Sequence, residues 1–223
     1  MSGTAEEDSP FPADHQLFAE TFSLNSVYKL SGQELKIKQV YGNNLGVAAS
    51  VWEAALQLCC YLEAEAVELR GQRVIELGAG TGVVGILAAR QGAVVTLRDL
   101  PVALPQLEDN ISANMPRAGW PSVPPTVLPL SWGENHTSFD SDWDLVLCAD
   151  VVYLPYTYPL LIATLSHLCK NGAVAYLSSK MRKEHRTVEF FEEWLPSRFK
   201  VELVHYDSKQ NINIYRASHQ RDQ

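Results

Sequence analysis

The residues in this sequence best placed to do chemistry are a glycine cluster and the acids that flank it. Residues 74–85 read VIELGAGTGVVG: an apolar run leads into Gly78, Gly80 and Gly82, and a helical pattern opens at once. Glycines there let the backbone turn tightly and approach a ligand closely, and the first turn of a helix offers free N–H groups. The next apolar run ends at Asp99. A carboxylate at that place accepts hydrogen bonds from both hydroxyls of a ribose. Strand, glycine turn, helix, strand and acid together make a nucleoside-binding unit.

Two ligands compete for it. Gly80-Thr81-Gly82-Val83-Val84-Gly85 fits the GxGxxG string of dinucleotide folds, which would make the protein a nicotinamide-dependent oxidoreductase. Glu76 argues otherwise. It stands inside the strand end, just before the first glycine, where a carboxylate repels a pyrophosphate. It suits a ligand with an ammonium group, such as the methionine part of S-adenosylmethionine (SAM). A third reading is a binding module that keeps fold and cofactor without turnover.

Other residues stay open on spacing alone. Asp150, at the end of a further apolar run, serves equally as a cap for the next turn. Tyr153 precedes Leu154-Pro155 and can anchor that turn, and Trp52 on an apolar helix face reads as core. Trp132 lies between Ser131 and Gly133 in a loop, where a large ring has less packing reason, and leans functional. Lys180, Arg182, Lys183 and Arg186 read first as a solvated helix start and second as a contact for an acidic patch on a partner. The six histidines have no ligand spacing, so no metal is expected. No Gly-x-Ser-x-Gly elbow points to a hydrolase.

The elements that position these residues follow from periodicity. After a mobile acidic tail (1 to about 15), a strand pair (27–30 and 34–41) turns at Ser31-Gly32. A loop over Gly42, Asn43, Asn44 and Gly46 leads to a helix over 47–64, where Val51, Ala55, Leu58 and Leu62 recur three or four apart. Strands are expected at 73–77, 94–97, 126–130, 144–148 and 173–178, with helices at 82–91, 101–115, 157–170 and 184–195 and a proline-rich loop at 116–125. Strands 199–206 and 212–217 close the chain as an antiparallel hairpin. The order predicts an α/β fold: a mostly parallel sheet, an antiparallel C-terminal hairpin and helices on both faces. Ligands then bind at the carboxyl ends of the strands, where strand order reverses.

Composition sets the bounds. The 223 residues, 46% hydrophobic and 20% charged, suit a single domain from residue 16 onward. A net charge of −8 excludes a broad basic footprint for nucleic acid and suits a basic partner or a small ligand. There is no apolar run long enough for a membrane span, and MSGTAEEDSPFPADH has neither the basic start nor the apolar stretch of a targeting signal. Cys59, Cys60, Cys148 and Cys169 read as buried, reduced thiols of a cytosolic protein.

ELGAGTG at 76–82, VAASVWEA at 47–54, SWG at 131–133 and ADVVY at 149–153 together resemble the methyltransferase-like 21 group of protein-lysine methyltransferases. The likeness spans nearly the whole chain after the tail, and Asp150 to Tyr153 matches that group's DxxY signature. SKMRKEH at 179–185 and NINIYRA at 211–217 draw it nearest to members acting on translation elongation factor 1-alpha. Arg98, just before Asp99, departs from the less charged residue expected there. The resemblance implies a seven-strand, Rossmann-like fold that uses SAM and releases S-adenosylhomocysteine. It assigns Gly78, Ala79 and Gly80 to the methionine and ribose parts, Asp99 to the ribose hydroxyls and Trp132 to the adenine. Ala149 lies beside the cofactor, Trp52 closes over it, and Asp150 and Tyr153 face the incoming lysine. It further implies a monomeric, cytoplasmic enzyme, with a cytoskeletal or centrosomal pool as a further location. Elongation factor 1-alpha is the implied protein substrate, an Hsp70-type chaperone or related ATPase the alternative, and neither nucleic acid nor membrane is a partner.

Overall fold

Strand β1 (Phe22–Leu30) turns at Ser31 and Gly32 into β2 (Gln33–Tyr41) in a computed structural model that describes residues 22–42, 45–115, 123–134 and 136–220. Both turn residues have positive φ, 51° and 67°, which gives the turn the twist of a two-residue hairpin. The expected tail, Asn43 and Asn44 of the first loop and most of the proline-rich loop lie outside the described residues.

The expected helix over 47–64 is broken. A 3-10 turn covers Gly46–Ala49, the chain then extends through Trp52, and α1 is Glu53–Ala64. One contact from outside the segment and one within it account for the break. The Val51 N–H donates to the Gln39 side-chain oxygen at 2.8 Å, and the Trp52 indole N–H donates to the Val47 carbonyl at 2.9 Å. Leu58, Cys59 and Leu62 of α1 face the core, which turns Cys60 to the opposite side; it is exposed rather than buried as expected, whereas Cys148 and Cys169 are buried.

The remaining elements alternate: β3 (Arg73–Leu77), α2 (Val83–Arg90), β4 (Val94–Asp99), α3 (Leu104–Asn114), β5 (Thr126–Pro129), β6 (Leu145–Ala149), α4 (Tyr158–Cys169), β7 (Val174–Lys180), the single turn α5 (Thr187–Glu189), β8 (Phe199–Asp207) and β9 (Ile212–His219). They form a seven-stranded sheet in the order β5-β4-β3-β6-β7-β9-β8. β5, β4, β3, β6 and β7 run parallel, and β9 is antiparallel to both β7 and β8. Alternation along the strands splits the core in two. Val74, Val95, Leu97 and Leu147 pack under α1, α2 and α3, while Ile75, Leu77, Val146 and Cys148 pack under α4 and Phe190, Phe191 and Leu195.

The helix expected over 184–195 is instead a short 3-10 turn, α5 and a π-helical segment, Phe190–Trp194. Phe190 and Phe191 are both buried, Phe190 against Tyr158 and Phe191 stacked on Tyr215. A wider turn brings two adjacent aromatic rings onto one face.

Three buried side-chain amides tie the β1–β2 pair to the sheet. Gln106, Asn110 and Asn114 lie along one face of α3. They accept the N–H groups of Val40, Lys38 and Lys36 at 2.7, 2.8 and 2.8 Å. Asn110 and Asn114 donate in return to the carbonyls of Lys38 and Lys36. The helix thus reads β2 as a neighbouring strand would. Asn110 also donates to the Thr81 carbonyl and Gln106 to that of Ala48, at 2.9 and 2.8 Å, so the same row reaches the glycine loop.

Candidate active site

β3 pairs with β4 on one side and with β6 on the other. Strand order reverses there, and a crevice opens at the carboxyl ends of these strands. It is a cleft of about 400 Å3 lined by all ten residues singled out from the sequence: Trp52, Glu76, Gly78, Ala79, Gly80, Asp99, Trp132, Ala149, Asp150 and Tyr153.

The glycine loop leaves β3 with φ of 62° at Gly78 and 54° at Gly80. A Cβ on Gly78 would stand 2.8 Å from Val151 Cγ1, with the Trp132 ring at 3.6 Å. Conformation and space both demand glycine here. Opposite the loop, each oxygen of Asp99 accepts one backbone N–H, from Gly80 at 2.7 Å and Leu100 at 2.6 Å. The carboxylate is fixed in place, and each oxygen keeps a lone pair for a hydroxyl donor. Burial pushes the Asp99 carboxyl up, against the pull of those two N–H groups.

Glu76 is buried and spans the gap between β3 and α2: its Oε2 accepts the Gly85 N–H at 2.8 Å. A Cβ on Gly85 would come within 2.6 Å of that oxygen. The third glycine of the GxGxxG string therefore makes room for a protein carboxylate, not for a pyrophosphate. Burial pushes Glu76 up to about 8; the Gly85 N–H works against this and the nearby Asp99 charge adds to it. A buried acid bordering the cleft fits a nucleoside ligand that carries an ammonium group, whose positive charge would favour the ionised carboxylate. With the ribose-ready Asp99 and the close backbone at Gly78, the residues present fit SAM.

On the other wall, Asp150 follows β6 with φ of 54°, a left-handed conformation that Asp tolerates better than most residues. Its side chain is almost fully buried. Arg182 grips it with both terminal nitrogens, each donating at 2.9 Å, and the Lys180 N–H donates at 3.1 Å. The Arg182 guanidinium also lies over the Trp52 ring, 5.6 Å from its centre. Burial pushes the Tyr153 hydroxyl up, helped by Asp99 and Tyr156.

Arg182 and Tyr156 line the cleft, and sequence reasoning did not single them out for it. By spacing Arg182 belongs to a solvated basic run; its side chain is only 17% exposed, because β6 and β7 lie side by side and bring the end of one onto the end of the other. Lys180, from the same run, reaches Glu53 at 3.9 Å. Nothing in the local spacing signals either pairing.

The parallel sheet, the reversal point and a cleft built for a nucleoside with an ammonium group define a Rossmann-like, SAM-dependent methyltransferase. The chain belongs to the lysine methyltransferase family, whose model matches residues 29–195. Within it, the chain is 51% identical to mouse (Mus musculus) EEF1A lysine methyltransferase 3, over 96% of this chain and 90% of that one. It is 46% identical to the protein N-lysine methyltransferase METTL21A of Danio rerio over 85% of each chain. These place it in the methyltransferase-like 21 group of protein-lysine N-methyltransferases. Among solved structures, magnesium protoporphyrin IX methyltransferase (ChlM) from Synechocystis with bound SAH matches with a TM-score of 0.55 at 19% identity, covering 75% of this chain and 83% of that one.

Proposed function

We propose that this methyltransferase modifies a lysine of translation elongation factor 1-alpha. The observation that carries the substrate is the 51% identity, over 96% of the chain, to a relative named for that activity. The cleft supplies the chemistry. SAM supplies, when bound, a methyl group on a positively charged sulfur. Asp99 would hold the ribose hydroxyls, Glu76 would face the ammonium end, and the backbone of Gly78, Ala79 and Gly80 would lie along the methionine and ribose. Trp132 would flank the adenine, and Trp52 would close the opposite side.

The lysine must arrive without its proton, although its ordinary pKa is about 10.4. Trp52, Tyr153, Leu154 and Leu160 give its path an apolar lining, which disfavours the charged amine. Asp150 accepts an N–H of the amine and aims its lone pair, and the Tyr153 ring faces the cationic product. Solvent takes the proton. The surrounding protein is read as a single monomeric catalytic domain of the cytoplasm, with no nucleic-acid partner; its net charge of −8 supports the last point.

The test is methyl transfer from labelled SAM into an extract of cells lacking this enzyme, with labelled proteins identified by mass. One labelled band at elongation factor 1-alpha, lost in Asp99→Ala, is the expected result. A single band at an Hsp70-type chaperone or related ATPase would overturn the substrate and keep the chemistry.

A further inference from the structure

Asp150 is not a free carboxylate. A carboxylate offers about four acceptor sites. Oδ1 takes the Lys180 N–H and Arg182 Nη1, and Oδ2 takes Arg182 Nη2. One lone pair, on Oδ2, is left for an incoming donor. Arg182 is itself held: its N–H donates to Thr187 Oγ1 at 2.9 Å, that hydroxyl donates back to the Arg182 carbonyl, and Thr187 is fully buried. Its guanidinium lies over the Trp52 ring, 5.6 Å from the ring centre. The fork is therefore pinned at the backbone, at the carboxylate and at its face.

We propose that Arg182 is a positioning residue of the transfer step: its fork leaves Asp150 a single acceptor site and offsets its charge, so the cleft receives the substrate lysine as a neutral amine. The inference rests on the lysine-methyltransferase reading and says how that site manages charge. A bare carboxylate beside the amine would favour the ammonium form and raise its pKa; the guanidinium opposes this. The lysine gives a proton to solvent. The nitrogen lone pair then forms the N–C bond while the C–S bonding pair returns to sulfur, and the methylammonium product leaves. Other charges face the same region. Glu53 from α1 is paired with Lys180, Glu184 lies beside Arg182, and Asp99, Glu76, Tyr153 and Tyr156 border the cleft. None of them takes over the two-pronged contact.

The test is the pH profile of kcat, from 6.5 to 10, on purified elongation factor 1-alpha, for wild type and Arg182→Met, with SAM affinity measured by calorimetry on both. Loss of the guanidinium is expected to move the acidic limb up by about one unit, since a neighbouring charge shifts a pKa by 1–3 units. The loss in kcat is then about tenfold at pH 7.5 and closes at high pH, with SAM affinity nearly unchanged. Adding Asp150→Asn to Arg182→Met removes the uncovered charge and should return the limb toward its wild-type position. Arg182→Lys keeps the charge without the fork: the limb stays and kcat falls evenly. If Arg182→Met does not fold, Asp150→Asn alone carries the test: the uncovered guanidinium should move the limb down, and an unmoved limb there overturns the proposal. In Arg182→Met, an equal loss at every pH with the limb unmoved overturns the proposal and leaves a structural ion pair. A wild type that methylates no protein lysine overturns the functional reading itself, and this inference with it.

Discussion

In the unfolded chain the Glu76 carboxyl ionises near 4.5, and in the fold burial pushes it up to about 8. Between those values the folded protein keeps a proton that the unfolded chain has released. Stability of the ligand-free protein therefore falls as pH rises through that window and levels off above it. Denaturant titrations at pH 5 and pH 9 measure the fall, and Glu76→Gln is expected to flatten it; an equal fall in the variant would place its origin elsewhere. Asp150 gives a second expectation at this scale. Asp150→Asn keeps an acceptor for Arg182 and should lower kcat at least about tenfold with SAM affinity intact. Asp150→Ala strands a largely buried guanidinium and should cost a further ~1–3 kcal/mol in stability. The glycines, Glu76 and Asp99 were legible because strand, turn and acid follow one another in sequence. Arg182 was not, because its carboxylate is 32 residues away and the contact exists only once β6 and β7 pair.

Among the elements, the strand–glycine–helix–strand core reads directly from hydrophobic period and glycine placement. Its failures share one cause: long-range contacts overrode local pattern. Gln39 captures the Val51 N–H and keeps the regular helix from reaching back past Trp52, so Trp52 sits ahead of α1 rather than on it. Adjacent Phe190 and Phe191 both need the core, and the backbone widens to seat them. The polar face of α3 would pass for a solvated helix surface, yet Gln106, Asn110 and Asn114 are buried. Asn110→Ala would leave the Lys38 N–H and two carbonyls without partners, a loss of about 2–4 kcal/mol. The midpoint of urea unfolding should drop accordingly. Because the same amide reaches the Thr81 carbonyl, SAM affinity is expected to weaken as well; a stability loss with unaltered affinity would separate the two.

At the scale of the whole molecule, length and composition suggest one domain and say nothing of catalysis, while the residue pattern and the family resemblance narrow the chain to this group. Binding at the reversal point joins β3, β4, β6 and the chain ahead of α1, so ligand binding should stabilise the fold as a unit. At SAM one hundred times its Kd the gain is about 2.7 kcal/mol, which for a chain of this size is a rise in Tm of roughly 5–10 °C. Thermal scans with and without SAM measure it, and Asp99→Ala should lose most of the rise.

The amide row of α3 has one more consequence. A two-stranded ribbon set apart from the main sheet has two open borders, each able to template a further strand from another molecule. Gln106, Asn110 and Asn114 fill the hydrogen-bonding positions along the border of β2, so no foreign strand can add there. Among the described residues, the border of β1 has no such cover, and Phe22, Leu24 and Val27 are exposed on that strand. Among the described residues, strand addition to this ribbon by another molecule is thereby confined to the border of β1.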